Sequence, residues 1–178
     1  MTTHPRQHSA GFAAATALFA IGLFLLLGAV LATTTRSTAK AKQFQEIKEQ
    51  MVAERDLIWN MLLLCRSVYP AGDNGSGNGV RLQYPATPVD NLVSSITCPG
   101  QGAAVAIWSG DARGMAPRAL PGFTPWTYTN DLTSIRISTS AITTGNQYYR
   151  DLMDRVITRI GTGQAVRNND TLTITLIN

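Results

Sequence analysis

Few residues in this chain have the types and spacing that chemistry needs. The two histidines, His4 and His8, both fall in the first eleven residues, outside any plausible folded domain. The rest of the chain therefore has no imidazole, and neither a Ser-His-Asp nor a Cys-His catalytic site can be assembled from it. Cys65 and Cys98 have no histidine near them and are too few for a four-ligand zinc site. Asp73, Asn74 and Asn78, in the glycine-rich stretch AGDNGSGNG, are weak candidates for calcium ligands, although their spacing does not match an EF-hand loop and a plain solvated loop explains them as well. Asp151 and Asp154 are three apart in a helical pattern and mimic a catalytic carboxylate pair. Arg150, Arg155 and Arg159 surround them, however, and ion pairs on a solvated helix face are the simpler expectation. Trp59, Trp108, Trp126, Tyr128, Tyr148 and Tyr149 are read as core rather than as a ligand-stacking platform. Asn74-Gly75-Ser76 and Asn169-Asp170-Thr171 match the glycosylation sequon, a pattern too short to carry weight. The sequence thus points away from an enzyme and from a resident cofactor.

The elements that would hold these residues begin with an apolar segment. From Phe12 to Ala32 the chain runs 21 residues without a charge, about the ~20 needed for a helix to cross ~30 Å of hydrocarbon. Eleven polar, mildly basic residues precede it. Three readings of this start compete: a secretory signal cut after Val30-Leu31-Ala32, an uncut signal anchor, and a leader cut between Gly11 and Phe12. A secretory core normally spans about 7 to 15 residues, shorter than this one.

No Pro interrupts the segment that follows. Phe44, Ile47, Met51, Ile58, Met61 or Leu62, and Cys65 recur at helical spacing, while Lys40, Lys48, Glu49 and Arg55 fall on the other face. The expectation is one helix of about 55 residues, apolar in its first half and amphipathic in its second. Its blandest function is a membrane anchor with a stalk.

Beyond Cys65 the periodicity stops. Ala103 to Trp108, Trp126 to Thr129 and Ser134 to Ser138 read as short strands. Asn146 to Ile160 reads as a helix stopped by Gly161. In the closing TLTITLI, Leu172, Ile174 and Leu176 alternate with three threonines, which describes a sheet with one wet face. Cys65 and Cys98, 33 positions apart, suggest a disulfide and hence an oxidising compartment, the alternative being two buried thiols in a reducing one. The expected fold is α+β. A long N-terminal membrane-spanning helix continues into an amphipathic helix packed on a small antiparallel sheet with one further helix. The corresponding parts are a leader (1–11), a membrane half-helix (12–32), an amphipathic half-helix (33–66) and a strand-rich head (67–178).

A short basic leader ending in Gly11, the aromatic Phe12, about twenty apolar residues running into an amphipathic helix, and a small head with two cysteines resemble the type IV pilins and the type II secretion pseudopilins. The stretch GFTPWTYTNDLTSIRIS, Gly122 to Ser138, also resembles the heads of minor pilin-like proteins. The resemblance implies cleavage between Gly11 and Phe12 by a prepilin peptidase, with methylation. It also implies an inner-membrane location with the head in the periplasm, and assembly with other pilin or pseudopilin subunits into a filament. One position departs from the pattern: subunits that stack along a filament usually carry a glutamate five residues after the cleavage site, and here Thr16 stands there. The resemblance then implies a minor subunit at a tip or in an initiating complex.

Net charge is +4, and no Lys/Arg run interleaved with aromatics is present, so a nucleic-acid partner is not expected. Flanking charge runs against the periplasmic head: Arg6 lies before the apolar segment, while Arg36, Lys40 and Lys42 lie after it. The positive-inside bias alone would hold the C-terminal part in the cytoplasm.

Overall fold

A computed structural model describes residues 9–68, 84–98, 105–108, 116–131 and 133–177. The chain divides into two compact units, Met1–Phe44 and Gln45–Asn178, and the boundary falls within helix α1, Ser9–Val68. Each unit is described by itself.

In the first unit α1 is helical from Ser9 onward, and the described side chains of the apolar run are Phe19 and residues 21–28. Among the described residues no helix is long and apolar enough to cross a membrane. The leader expected at 1–11 lies outside the described residues up to position 8, and its last three residues continue the helix.

The second unit is an α+β domain. Its strands are β1 (Thr97–Cys98), β2 (Val105–Ala106), β3 (Thr127–Asn130), β4 (Ile135–Ser140), β5 (Ala165–Asn168) and β6 (Thr171–Ile177), with helix α2 (Gln147–Ile160) between β4 and β5. The main sheet has four antiparallel strands in the order β3-β4-β6-β5, while β1 and β2 pair separately. Period-two alternation is carried into space as expected. Tyr128, Ile135, Ile137, Leu172 and Ile174 are buried on one face. On the other, Thr127, Ser138 and Thr173 stand in one cross-strand row, with Ser140 beside Thr171 in the next. The hydroxyls there satisfy each other across strands, Ser138 with Thr173 at 3.0 Å and Ser140 with Thr171 at 2.8 Å.

Several elements differ from their expected extents. Of the strand expected at Ala103 to Trp108, Ala103 and Ala104 lie outside the described residues, Val105–Ala106 form β2, and Ile107 and Trp108 turn away as buried residues; Trp108 donates its indole N–H to the Val93 carbonyl at 2.8 Å. Strand β5 has no apolar alternation to announce it. It forms because Asn169, at φ 53°, supplies the left-handed residue of a two-residue hairpin into β6. The helix after β4 starts one residue later than the pattern suggests, since Asn146 is its N-cap and accepts the Tyr148 N–H at 3.0 Å. Gly161 ends it at φ 114°, its N–H bonded to the Ile157 carbonyl.

The outer edge of β3 is taken up by the segment before the 3-10 turn Val93–Ser95: Tyr128 N–H bonds the Asn91 carbonyl at 2.7 Å and Val93 N–H bonds the Trp126 carbonyl at 3.0 Å. Such covering removes one of the two open edges a small sheet would present.

Candidate functional site

In the first unit, Leu23, Phe24, Leu25, Leu26 and Leu27 are five successive helical positions, and their exposure ranges from 50% to 76%. Successive residues in an α-helix advance by about 100°, so five of them pass the full circumference. This stretch is apolar all round rather than on one stripe, the pattern of a helix that must be enclosed by lipid or by other helices. Phe19 and Ile21 extend it. Gly11, Phe12 and Thr16 belong to α1 by backbone, but their side chains lie outside the described residues. Lys40 and Lys42, beyond the apolar run, are exposed.

In the second unit α1 changes character. Ile47, Met51, Glu54, Ile58, Leu62 and Cys65 are buried at spacings of three and four, a single stripe. Five of these six positions are apolar or cysteine, and all five were visible in the sequence as a stripe with a gap between Met51 and Ile58. The gap is filled by Glu54, a residue 8% exposed. Trp126, in the turn before β3, donates its indole N–H to Glu54 Oε2 at 2.6 Å, and Gln50 on α1 donates to Oε1 at 3.4 Å. Burial raises the Glu54 pKa above its ordinary value, and the two hydrogen bonds oppose that shift without cancelling it.

Three turns further along, Cys65 is joined to Cys98 by a disulfide, with Cα atoms 5.7 Å apart. This bond ties α1 to β1. Above it, Arg66 donates to the Tyr84 hydroxyl at 2.8 Å and lies over the same ring, which stacks on Trp59 at 6.2 Å between centroids. The segment after Tyr84 is stitched to β3 by the buried Asn130: its side-chain amide donates to the Pro85 carbonyl at 2.8 Å, and its N–H bonds the Thr87 hydroxyl at 2.8 Å. Tyr128 donates its hydroxyl to the same Pro85 carbonyl at 2.8 Å. Nothing in the local sequence marks Asn130, whose task exists only because residues distant in the chain end beside it.

The other residues singled out for chemistry are dispersed. Asp73, Asn74 and Asn78 lie outside the described residues, and among the described residues no cluster of His, Cys, Asp or Glu can hold a metal ion. Asp151 and Asp154 do not act together. Asp154 pairs with Arg167 of β5 at 2.7 Å, and Asp151 accepts from Gln147 at 2.6 Å. Arg150 reaches instead to Asp170 in the β5–β6 turn at 2.8 Å. The ion pairs expected along the helix face are not the ones formed: Asp154 and Arg150 pair instead with residues of the hairpin. Asp131 is fixed by the Thr133 hydroxyl, by the N–H groups of Ser134 and Thr133 and by Arg136, and these contacts hold its carboxyl well below the ordinary range. It caps its own turn. An open groove of about 450 Å³ runs along Ala86, Thr87, Pro88, Val89, Asp90, Ser95 and Thr97. Its one carboxylate, Asp90, is occupied by the Leu92 N–H and the Ser95 hydroxyl.

The arrangement is a helical segment that is apolar all round in the first unit and, in the second, a head braced on the rest of that helix. No family model, curated protein or solved structure matches the chain.

Proposed function

We propose that this chain is a structural protein, a minor pilin- or pseudopilin-like subunit of a bacterial type IV filament system. In this reading Phe12 to Ala32 crosses the inner membrane once before assembly and the head stands in the periplasm. The observation that carries the reading is the run of five exposed apolar residues Leu23 to Leu27 on a continuous helix, because nothing but lipid or neighbouring apolar helices accommodates a surface of that kind. The polar leader ending in Gly11 supports it, as does the Cys65–Cys98 disulfide, which persists in an oxidising compartment. The partners would be a prepilin peptidase, which cuts before Phe12, and other pilin or pseudopilin subunits. Thr16 supports a position at a tip or in an initiating complex, since it offers no carboxylate to the N-terminal amine of a neighbour.

A second reading is favoured by Arg36, Lys40 and Lys42 against the lone Arg6: a single-pass inner-membrane protein with an interaction domain that joins no filament. N-terminal sequencing of the protein from its host membrane separates the two. Phe12 as first residue supports the pilin-like reading, Met1 the uncut anchor and Thr33 a secreted protein. Gly11→Leu should block the cut and leave a product eleven residues longer. Identical masses for wild type and variant in a host with an active peptidase would remove the main support for the filament reading.

A further inference from the structure

The net charge of +4 is not spread along the chain. Arg6, Arg36, Lys40 and Lys42 are the only charged side chains before Glu46, so the first unit, Met1–Phe44, holds four cations and no carboxylate. The other Lys and Arg residues equal the Asp and Glu residues in number, which leaves the second unit neutral. Three of the four cations follow the apolar run closely, on the unbroken helix α1, and Lys40 and Lys42 are exposed. At 1.5 Å per residue, Arg36 stands about 6 Å beyond Ala32 and Lys40 about 12 Å beyond it. The headgroup layer on each side of ~30 Å of hydrocarbon is about 5–7 Å deep. Arg36 therefore falls at the level of the lipid phosphates. Lys40 starts above them, but a helical side chain leans toward the N-terminus and covers the preceding turn, which carries its ammonium back to the Arg36 level. Four apart, the two share one helix face, whereas Lys42 is turned about 200° from Lys40.

We infer that Arg36 and Lys40 form a clamp for the phosphate of an anionic phospholipid, fixing the depth of α1 in its bilayer. The inference rests on the reading of Phe12 to Ala32 as a membrane span, and it holds for either orientation of the head. Charge complementarity selects the occupant, because a unit that is wholly cationic meets a surface made negative by acidic lipids. The Arg36 guanidinium offers a fork that matches two phosphate oxygens, and Lys40 adds a compact charge beside it. The clamp also gives these cations a task on the side of the membrane where the positive-inside bias alone would not put them.

The test uses the full chain in vesicles of equal parts phosphatidylglycerol and phosphatidylcholine, each lipid spin-labelled in turn. The motionally restricted fraction of each label gives their relative association with the protein. Wild type should prefer phosphatidylglycerol, and the preference should fall in 1 M salt, where the Debye length shrinks to about 3 Å. Arg36→Gln and Lys40→Gln should each lower the ratio by up to about fivefold, and the double variant should lower it further. Arg36→Lys with Lys40→Arg should keep most of it. Arg6, on the other flank, is the same in every variant and sets the baseline. Equal association of the two lipids with wild type, or an unchanged ratio in the double Gln variant, overturns the clamp. So does a loss in Lys42→Gln as large as in Lys40→Gln, since diffuse attraction would then explain both. Alkaline carbonate extraction of the same vesicles separates this inference from the reading beneath it. A chain that washes off fails the membrane span and the clamp together, and a chain that stays without lipid preference fails the clamp alone.

Discussion

Gly122 stands where the turn into β3 passes beneath Tyr149 of α2, and replacing it with alanine tests how the head is closed. Two effects add. Its φ of 83° lies in the left-handed region, where a Cβ costs about 1–2 kcal/mol. The new Cβ would also lie on the Tyr149 ring, which packs edge-on against both Phe123 and Tyr148 at 5.2 Å between centroids. Moving that ring forfeits contacts worth about 0.5–1.5 kcal/mol for each aromatic pair. The narrower unfolded ensemble of alanine returns about 0.4–1 kcal/mol. The net expectation is a loss of roughly 2–4 kcal/mol, a melting temperature lower by about 6–15 °C for a unit of this size. Gly145→Ala is the internal control. Gly145 also has a positive φ, 75°, but nothing lies within 4 Å of its added Cβ, so only the backbone cost applies, about 1 kcal/mol after the same entropic return. Melts of the full chain in detergent, read by near-ultraviolet circular dichroism, measure both. If the two variants melt within about 2 °C of each other, Tyr149 does not close over Gly122 and the steric part of the reasoning fails. Tyr149→Ala in the Gly122→Ala background should recover the steric part alone, so a purely additive double variant would refute it as well.

Replacing Cys65 and Cys98 together with serine should cost the head about 3–4 kcal/mol, from the loop-closure entropy of a 33-residue separation, and urea titration of both forms measures it. In the native membrane, alkylation of unreduced protein should label neither cysteine, and full labelling would put the head in a reducing compartment. Thr16→Glu should leave the head's unfolding curve unchanged while raising the subunit's share of sheared, purified filaments; a wild-type chain that is already the major filament component would overturn the tip assignment.

Legibility of the fold in the sequence followed the size of each element's own signal. The stripe from Ile47 to Cys65 and the alternation from Thr171 to Thr175 are local patterns repeated over several turns or pleats, and both are formed where their residues place them; Leu176, expected on the buried face, is only half-buried, at the register shift between β4 and β6. The hairpin strand Ala165–Asn168 reads AVRN, which carries no period. It is fixed by pairing with β6 and by the turn at Asn169. The strand around Val105 is cut short because Ile107 and Trp108 are buried at adjacent positions, which an extended strand with one wet face does not allow. Of the seam residues, the cysteines were found by elimination of other chemistry. Glu54 carried a signal, a charge at the missing step of an apolar stripe, that reads as a breach of pattern until Trp126 is placed opposite it. Asn130 and Tyr84 carried none, because the carbonyls and ring they satisfy are 18 to 46 residues away in the chain.

Helix α1 shows why averaging over an element conceals function. Between Leu23 and Leu27 every position is apolar and exposed, so no orientation against a single flat partner would cover it. Between Ile47 and Cys65 one stripe is buried and Ala53, Asp56 and Asn60 face water, the arrangement of a helix laid on a globular core. Taken as one helix, the two halves dilute each other into a segment with neither strong amphipathicity nor strong hydropathy. Taken separately, they need different surroundings, an apolar cover for the first and a globular head for the second. A protein that only sat in a membrane would not need the second half to be helically continuous with the first. Under the proposed reading as a filament subunit, the same apolar surface would be covered by lipid before assembly and by neighbouring helices after it. That exchange is the physical reason for preferring a filament subunit to a simple anchor, and the first residue of the mature chain is the observation that decides between them.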